Sequence, residues 1–234
     1  MASSELPSDA FAFPCRDDGS PTALSPPVVI SVLASILERH IARNERALAA
    51  AAAAAATAGG DDDGEGSAAA AATRRRVRAF ESGTELDMSL HAFLERFARY
   101  AEVSPQVYVV AYAYLDRLRR AGDAGVRVVR ANAQRLLTAA ILVASKFVED
   151  RNYKNSHFAA VGGITAAELS ALELDFLFLM QFRLNVCDSV FRSYCRHLER
   201  EVSFGSRYRA GKGLVCAGEA RAQQARHRQA AAAQ

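Results

Sequence analysis

Two charged side chains, Lys146 and Glu173, lie among apolar neighbours in this sequence. Lys146 stands beside Phe147 and one helical turn after Val143, and Glu173 has a leucine one turn to either side. The two charges fit the rim of a core, where their stems lie on apolar surface and their heads pair in water. They equally fit an apolar protein-binding surface, on which they hydrogen-bond a partner's backbone once water leaves. Spacing alone leaves both interpretations open.

Catalytic chemistry has little support in the residue pattern. The sequence contains no G-x-x-x-x-G-K-[ST], G-x-G-x-x-G, G-x-S-x-G or H-E-x-x-H motif, and its 5 histidines lie on different segments. Neighbouring acids such as Glu149 and Asp150, or Glu173 and Asp175, are typical of solvated helix surfaces. We therefore expect no catalytic residues and no small-molecule substrate.

Metal and redox sites are also not expected. The four cysteines, Cys15, Cys187, Cys195 and Cys216, form no CxxC pair. Cys195 and His197 are two residues apart, but a mononuclear site needs three or four ligands and no second cluster accompanies them. We interpret the cysteines as reduced thiols and expect no metal and no cofactor.

The charge balance argues against specific nucleic-acid binding. The chain has 29 basic and 26 acidic side chains, a net charge of +3. Residues 87–201 carry 15 basic against 13 acidic residues, too balanced for a surface that tracks phosphates. The basic C-terminal residues remain capable of weak nonspecific contacts.

The apolar runs are too short to cross a bilayer. Runs such as Ala49–Ala56 and Ala139–Ala144 fall far short of the roughly 18 residues that a membrane-spanning helix needs. Residues 1–14 have neither the basic n-region nor the apolar h-region of a secretory signal. We expect no membrane association and a location in the nucleus, the cytoplasm or both.

The composition divides the chain into five segments. We expect a disordered leader at 1–25, an amphipathic helix at 26–48, a low-complexity linker at 49–80, a helical domain at 81–202 and a basic flexible tail at 203–234. Alanines after residue 48 could prolong the first helix until the glycines at 59 and 60 end it. The linker contains an arginine cluster, Arg74–Arg78, which fits either a nuclear-import or anion-binding patch or a solvated segment.

The helical domain shows apolar residues at spacings of three and four, with no competing strand pattern. We expect helices from about Leu86, from Ser104-Pro105 and from near Asn132, then a short one at 156–161. The next begins at the capping box Thr165-x-x-Glu168, and a last segment opens at 188–189. Small residues in the third helix are typical of a central helix. The sequence thus predicts an all-α fold of five main helices, an extra N-terminal helix and disordered tails.

Three strings, in this order and at these separations, resemble the cyclin box. They are YAYLDRL at 112–118, LVASKFVED at 142–150 and LELDFL at 172–177 continuing to Phe182. Three further segments are most similar to the plant P-type (U-type) cyclins, relatives of the fungal phosphate-response cyclin. They are FLER at 93–96, AEVSP at 101–105 and FRSYC at 191–195.

The resemblance implies a regulatory subunit that binds and activates a cyclin-dependent kinase, with cell-cycle and phosphate-signalling control as expected roles. Such a subunit holds the kinase's mobile regulatory helix, often a PSTAIRE helix, in the active position. Lys146 and Glu173 would then hydrogen-bond kinase backbone beside that helix. The surrounding apolar surface would be Val143, Phe147, Leu177, Phe182 and Leu184.

The chain departs from the family pattern at two places on its first box helix. Asp116 matches a structural ion-pair partner in many cyclins, but Asp87 stands where its arginine is usual. The same helix usually carries a Met-Arg-Ala-Ile-Leu docking patch, and residues 86–90 here read Leu-Asp-Met-Ser-Leu. We therefore do not expect docking of basic-leucine substrate motifs.

Two other classes of function remain as alternatives. A cyclin-fold protein can bind DNA or a polymerase subunit, since one helical fold serves several functions. A helical scaffold without a kinase partner is the other, and it predicts that alanine at Lys146 and Glu173 changes only stability.

Overall fold

The computed structural model describes residues 26–58, 67–83, 86–121, 126–150 and 153–202. Regular structure within these ranges is helical throughout, with no strand. The helices are α1 (Pro26–Ala58), α2 (Ala68–Ala79), α3 (Leu90–Tyr100), α4 (Pro105–Arg119), α5 (Arg130–Val148), α6 (Asn155–Gly162), α7 (Ala166–Leu179) and α8 (188–202). The predicted all-α class is confirmed. The expected leader and tail lie outside the described residues.

Helix α5 occupies the centre of the domain, packed against α4, α6 and α7. Its alanines at 139, 140 and 144 are fully buried, and small side chains allow neighbouring helices to approach closely. Helix α6 approaches it closely at Gly162, where an added Cβ atom would lie 2.6 Å from the Thr138 side chain. The central place expected for this helix is observed.

Side-chain hydrogen bonds mark where α3, α5 and α7 begin. The Thr165 and Glu168 side chains each bond the other's backbone, the reciprocal box expected from the sequence. Ser89 accepts from the backbone of Ala92, so α3 begins at Leu90 and not near Leu86. Asn132 accepts from the backbone N–H of Val129, and α5 therefore begins slightly before the predicted residue.

Helix α1 buries one apolar face against α3 and α4. Val29, Leu33, Ile36 and Ile41 on this face are at most 3% exposed. The helix continues to Ala58, past the expected end at residue 48, because alanine has the highest helix propensity. None of the described helices combines the length and apolarity that crossing a membrane requires.

The expected linker at 49–80 is helical over most of its described length. Beyond the end of α1 it forms α2, which packs against α7. Phe80, which follows α2, is 0% exposed and meets the ring of Phe176 edge-on at 6.5 Å. Arg135 on α5 donates to the carbonyls of Ala79 and Glu81. These contacts attach α2 to the domain, which local composition could not predict because its partners lie far along the chain.

Candidate protein-binding surface

Helix α7 carries apolar side chains on both its inner and its outer side. Leu169, Leu172 and Phe176 face the core and are at most 4% exposed, whereas Leu174 and Phe178 are 58% and 50% exposed. Exposed apolar residues that lie together mark surfaces that bind other molecules. The outer side of α7 therefore has the character of a protein-binding surface.

Lys146 and Glu173 meet at the edge of this surface. The Lys146 ammonium lies 2.6 Å from Oε1 of Glu173, and the two side chains are 39% and 16% exposed. The other carboxylate oxygen of Glu173 accepts from the side-chain amide of Asn155 at 2.8 Å. One residue from α5 and one from α6 thus fix the position of a carboxylate carried by α7. The pairing is compatible with both interpretations, because the two heads meet at the rim of the core and the lysine has further donors for a partner.

The remaining predicted surface residues differ in exposure. Phe147 and Phe182 are 38% and 59% exposed, and Leu177 and Leu184 are half-buried against the core. Val143 is 3% exposed and therefore supports the surface from within the core, because α5 is the central helix. Six of the seven predicted residues thus offer some surface, and Val143 is the one that does not.

Sequence reasoning missed three residues of this surface. Leu174 and Phe178 lie four residues apart on α7, and Phe178 meets the ring of Phe182 edge-on at 5.3 Å. The sequence signal for these two residues was that they are apolar at helix positions that do not face the core. Asn155 offered none, because its contact with Glu173 joins two helices.

The turn after α7 holds Phe182 outward through an unusual backbone. Gln181 and Phe182 have φ angles of 51° and 56°, a left-handed conformation that costs a non-glycine residue about 1–2 kcal/mol. Arg117 stabilises the turn by donating to the carbonyls of Arg183 and Asn185, at 2.8 and 2.7 Å. Tyr114 donates to the carbonyl of Leu184 at 3.0 Å. Strain of this kind is typical of functional sites.

Asp116 makes its contacts within α4 and to α8. It pairs with Arg119 and Arg120 at 2.7 Å each and accepts from the Tyr194 hydroxyl at 2.8 Å. Burial alone would raise the pKa of Asp116, but the hydrogen bonds from Arg119 and Tyr194, with the charge of Arg120, hold it below its ordinary value. Asp87 is exposed, before α3, and is not among these partners.

The segment matching the family's substrate-docking patch offers little open apolar surface. Leu90 is 3% exposed, and Leu86 and Met88 are partly buried against the core. Ser89 is committed to capping α3. This arrangement agrees with the departure of residues 86–90 from the docking-patch sequence of the family.

The described cysteines are unpaired, Cys195 buried and Cys187 exposed. Burial raises the pKa of the Cys195 thiol to about 12, which disfavours its reactive thiolate. Over the described ranges, no group of three or more His, Cys, Asp or Glu side chains is arranged to hold a metal ion. Cys15 and Cys216 lie outside those ranges.

An all-α domain with an uncovered apolar helix face beside a fixed ion pair belongs to the class of helical protein-binding domains. The family model "Cyclin" matches residues 28–184, and the chain belongs to the cyclin family. It is 73% identical to Cyclin-P2-1 of Oryza sativa subsp. japonica over 100% of this chain and 99% of that protein. It is 43% identical to Cyclin-U2-1 of Arabidopsis thaliana, covering 94% of this chain and 88% of that one.

A further relative, Cyclin-P4-1 of Oryza sativa subsp. japonica, is 43% identical over 76% of each chain. The expected likeness to P-type and U-type cyclins is thereby confirmed. Cyclins are regulatory subunits and not enzymes, so membership of the family implies a protein-kinase partner.

Proposed function

We propose that this chain binds a cyclin-dependent kinase of the PSTAIRE type and activates it. The observation that carries the proposal is the Lys146–Glu173 pair, held at 2.6 Å beside the exposed apolar side of α7 in a chain of the cyclin family. The proposed contact surface is Lys146 and Glu173 with Phe147, Leu174, Leu177, Phe178, Phe182 and Leu184, supported from beneath by Val143.

The ion pair would add directional hydrogen bonds to a contact that is otherwise apolar. Lys146 uses one donor on Glu173 and keeps others for backbone carbonyls of a docked helix. Glu173 has further acceptor capacity for backbone N–H groups. These hydrogen bonds strengthen when the surrounding apolar residues exclude water, and they fix the register of the docked helix.

Activation would follow from selective binding and needs no chemistry from the cyclin. A kinase that interconverts between inactive and active arrangements shifts toward the one that its partner binds better. The size of the shift equals the difference in affinity, about 1.4 kcal/mol for each tenfold. The proposed contact surface would bind only the kinase arrangement in which the regulatory helix is turned inward.

The test compares a double variant, Lys146→Ala/Glu173→Ala, with the wild type for affinity to a purified PSTAIRE-type kinase and for kinase activity. We expect the folded variant to lose more than roughly tenfold in affinity, about 1.4 kcal/mol, and to activate correspondingly less. The matched control is Glu95→Ala/Arg99→Ala, which removes an exposed ion pair of 3.0 Å on α3. This control should bind normally.

Each departure from that result has a distinct meaning. A wild type that does not bind contradicts the kinase proposal and favours a transcription-associated or scaffold role. If the double variant binds as the wild type does, the kinase remains the partner, but the proposal that Lys146 and Glu173 form the contact is contradicted.

The cellular setting forms a second part of the proposal. We place the complex in the nucleus, the cytoplasm or both, with control of the cell cycle and of phosphate signalling as its roles. The sequence likeness to P-type cyclins supports this assignment. Fluorescent tagging of the full chain, followed with and without phosphate supply, tests it.

A further inference from the structure

A cavity of about 540 Å³ opens where the end of α4 meets the turn after α7. A smaller one of about 100 Å³ lies between α2 and the same helix ends. The two share Leu118, Ala121 and Leu179 and form one continuous depression. Its lining includes Arg76, Arg117, Arg120 and Arg183, and we call it the arginine groove.

The arginine groove has an excess of positive charge. None of its described lining residues is acidic. Arg76 pairs with Asp175 at 3.5 Å, and Arg120 shares Asp116 with Arg119. Arg117 and Arg183 have no carboxylate partner within the described part of the chain and instead contact carbonyl or amide oxygens.

The floor of the groove is apolar and held in place. Leu118 and Met180 are at most 4% exposed, and Leu179 packs partly against the core. The turn at Gln181 and Phe182 is tied down by Arg117. The volume of the larger cavity lies within the roughly 300–1,000 Å³ of ligand-sized pockets, which leaves room for an apolar side chain of a bound peptide together with part of its backbone.

The groove is continuous with the surface proposed to bind the kinase. Phe182 and Leu184 line the cavity and also belong to that surface. Arg76 lies 4.4 Å over the ring of Phe178, which in turn contacts Phe182. A protein docked on α7 would therefore extend over the groove.

We propose that the arginine groove binds an acidic segment of the docked kinase, with one apolar side chain of that segment seated in the cavity. This inference rests on the proposed function. Docking removes water from the groove. Desolvating an arginine that has no carboxylate partner costs free energy, unless a carboxylate of the docked segment takes the place of the lost water. A neutral or basic segment leaves that cost uncompensated, so charge complementarity selects an acidic one.

Two variants test the groove separately from the Lys146–Glu173 pair. Arg183→Glu reverses an exposed charge without removing an ion pair, and Ala121→Phe fills the cavity from an exposed position. Arg196→Glu on α8 and Ala160→Phe on α6 are the matched controls: both positions are exposed, and Arg196 has no carboxylate partner among the described residues. Affinity for a purified PSTAIRE-type kinase is measured at about 0.1 M and about 1 M salt, where the screening length falls from ~10 to ~3 Å.

We expect Arg183→Glu to lose roughly tenfold in affinity at the lower salt concentration and much less at the higher one. Ala121→Phe should lose affinity at both, because steric filling is not screened. Arg183→Lys should bind nearly as the wild type does, and both controls should be unaffected. Unchanged melting temperatures show that the variants fold.

Other results overturn the inference in distinguishable ways. If the groove variants bind like the wild type while Lys146→Ala/Glu173→Ala does not, the kinase partner stands and the groove proposal fails. If the wild type itself does not bind, both fail. Sedimentation of the chain alone shows whether a second copy is the occupant. If the chain self-associates and Arg183→Glu abolishes that association, the occupant of the groove is a second copy of this chain and the kinase-segment proposal fails.

Discussion

Glu173 depends on Asn155 for its orientation, because the amide holds the carboxylate oxygen that Lys146 does not contact. Asn155 is thus a positioning residue for the proposed kinase contact. Its own side chain is half-buried at the start of α6, beside the face that would be covered. The importance of this contact can be measured without altering either charge.

For Asn155→Ala we expect a loss of about two- to tenfold in kinase affinity, which is part of the about 1.5–3 kcal/mol that a hydrogen bond to a charged group contributes, because Asn155 acts on the kinase only through Glu173. Isothermal calorimetry on the folded variant measures it. Asn44→Ala, which removes an amide bond of the same 2.8 Å length to the Val128 carbonyl, is the control. Equal losses in the two variants would show that the effect is only structural.

Asp116 makes a second residue-scale contribution, to stability. Its pKa is lowered in the folded chain, so its charged form stabilises the fold at pH values above its unfolded pKa of 3.8. That contribution is lost as pH falls below 3.8 through the lower folded pKa. Stability from this group is therefore fully present at neutral pH.

For Asp116→Asn we expect a free energy of unfolding about 1–3 kcal/mol lower at neutral pH. The difference from the wild type should narrow as pH falls below the unfolded pKa of 3.8. Urea unfolding at pH 7 and at pH 3 measures both differences. A gap between the two proteins that is the same at both pH values would contradict this assignment.

At the scale of elements, the contact between α5 and α6 sets the geometry of the proposed contact surface for the kinase. Gly162 lets α6 approach Thr138 on α5, and the next residue, Gly163, ends the helix at a φ of 72°. Because Asn155 lies at the other end of the same short helix, the packing of α6 also sets where the Glu173 carboxylate is held.

Gly162→Ala should lower the free energy of unfolding by about 1–3 kcal/mol, because its new methyl group would lie 2.6 Å from the Thr138 side chain. Gly83→Ala is a matched control, with nothing within 4 Å of the added atom. Thermal unfolding compares them. Thr138→Ser in the Gly162→Ala background should recover part of the loss, and no recovery would mean that the strain lies elsewhere.

At the scale of the whole molecule, the described residues leave the outer face of α7 incompletely covered. Helices α1 and α2 lie against α3, α4 and α7 and close much of the core, but the outer side of α7 stays open. The open face, the Lys146–Glu173 pair and the arginine groove all lie along α7 or its ends. The molecule thus presents continuous surface for a partner on one side.

Leu174→Ser should alter the stability of the free chain by less than about 0.5 kcal/mol, since the side chain is 58% exposed. It should nevertheless weaken kinase binding severalfold, because a partner would bury that side chain. Leu48→Ser, at 50% exposure on α1, is the control. The expectation is contradicted if both variants bind the kinase as the wild type does.

The sequence by itself determined the all-α class, the main helices, the capping box at Thr165 and the likeness to cyclins. Helix periodicity and caps are local properties, which neighbouring residues express without reference to the rest of the chain. The same holds for the charges at 146 and 173, which were identifiable from their apolar neighbours.

Only the tertiary structure decided how these parts meet. It placed α2 on α7, joined Lys146 to Glu173 and Asn155, put Val143 in the core and left Leu174 and Phe178 open. Each of these outcomes depends on contacts between residues distant in sequence. Periodicity shows that a face is apolar, but whether that face is covered depends on which helices pack against it.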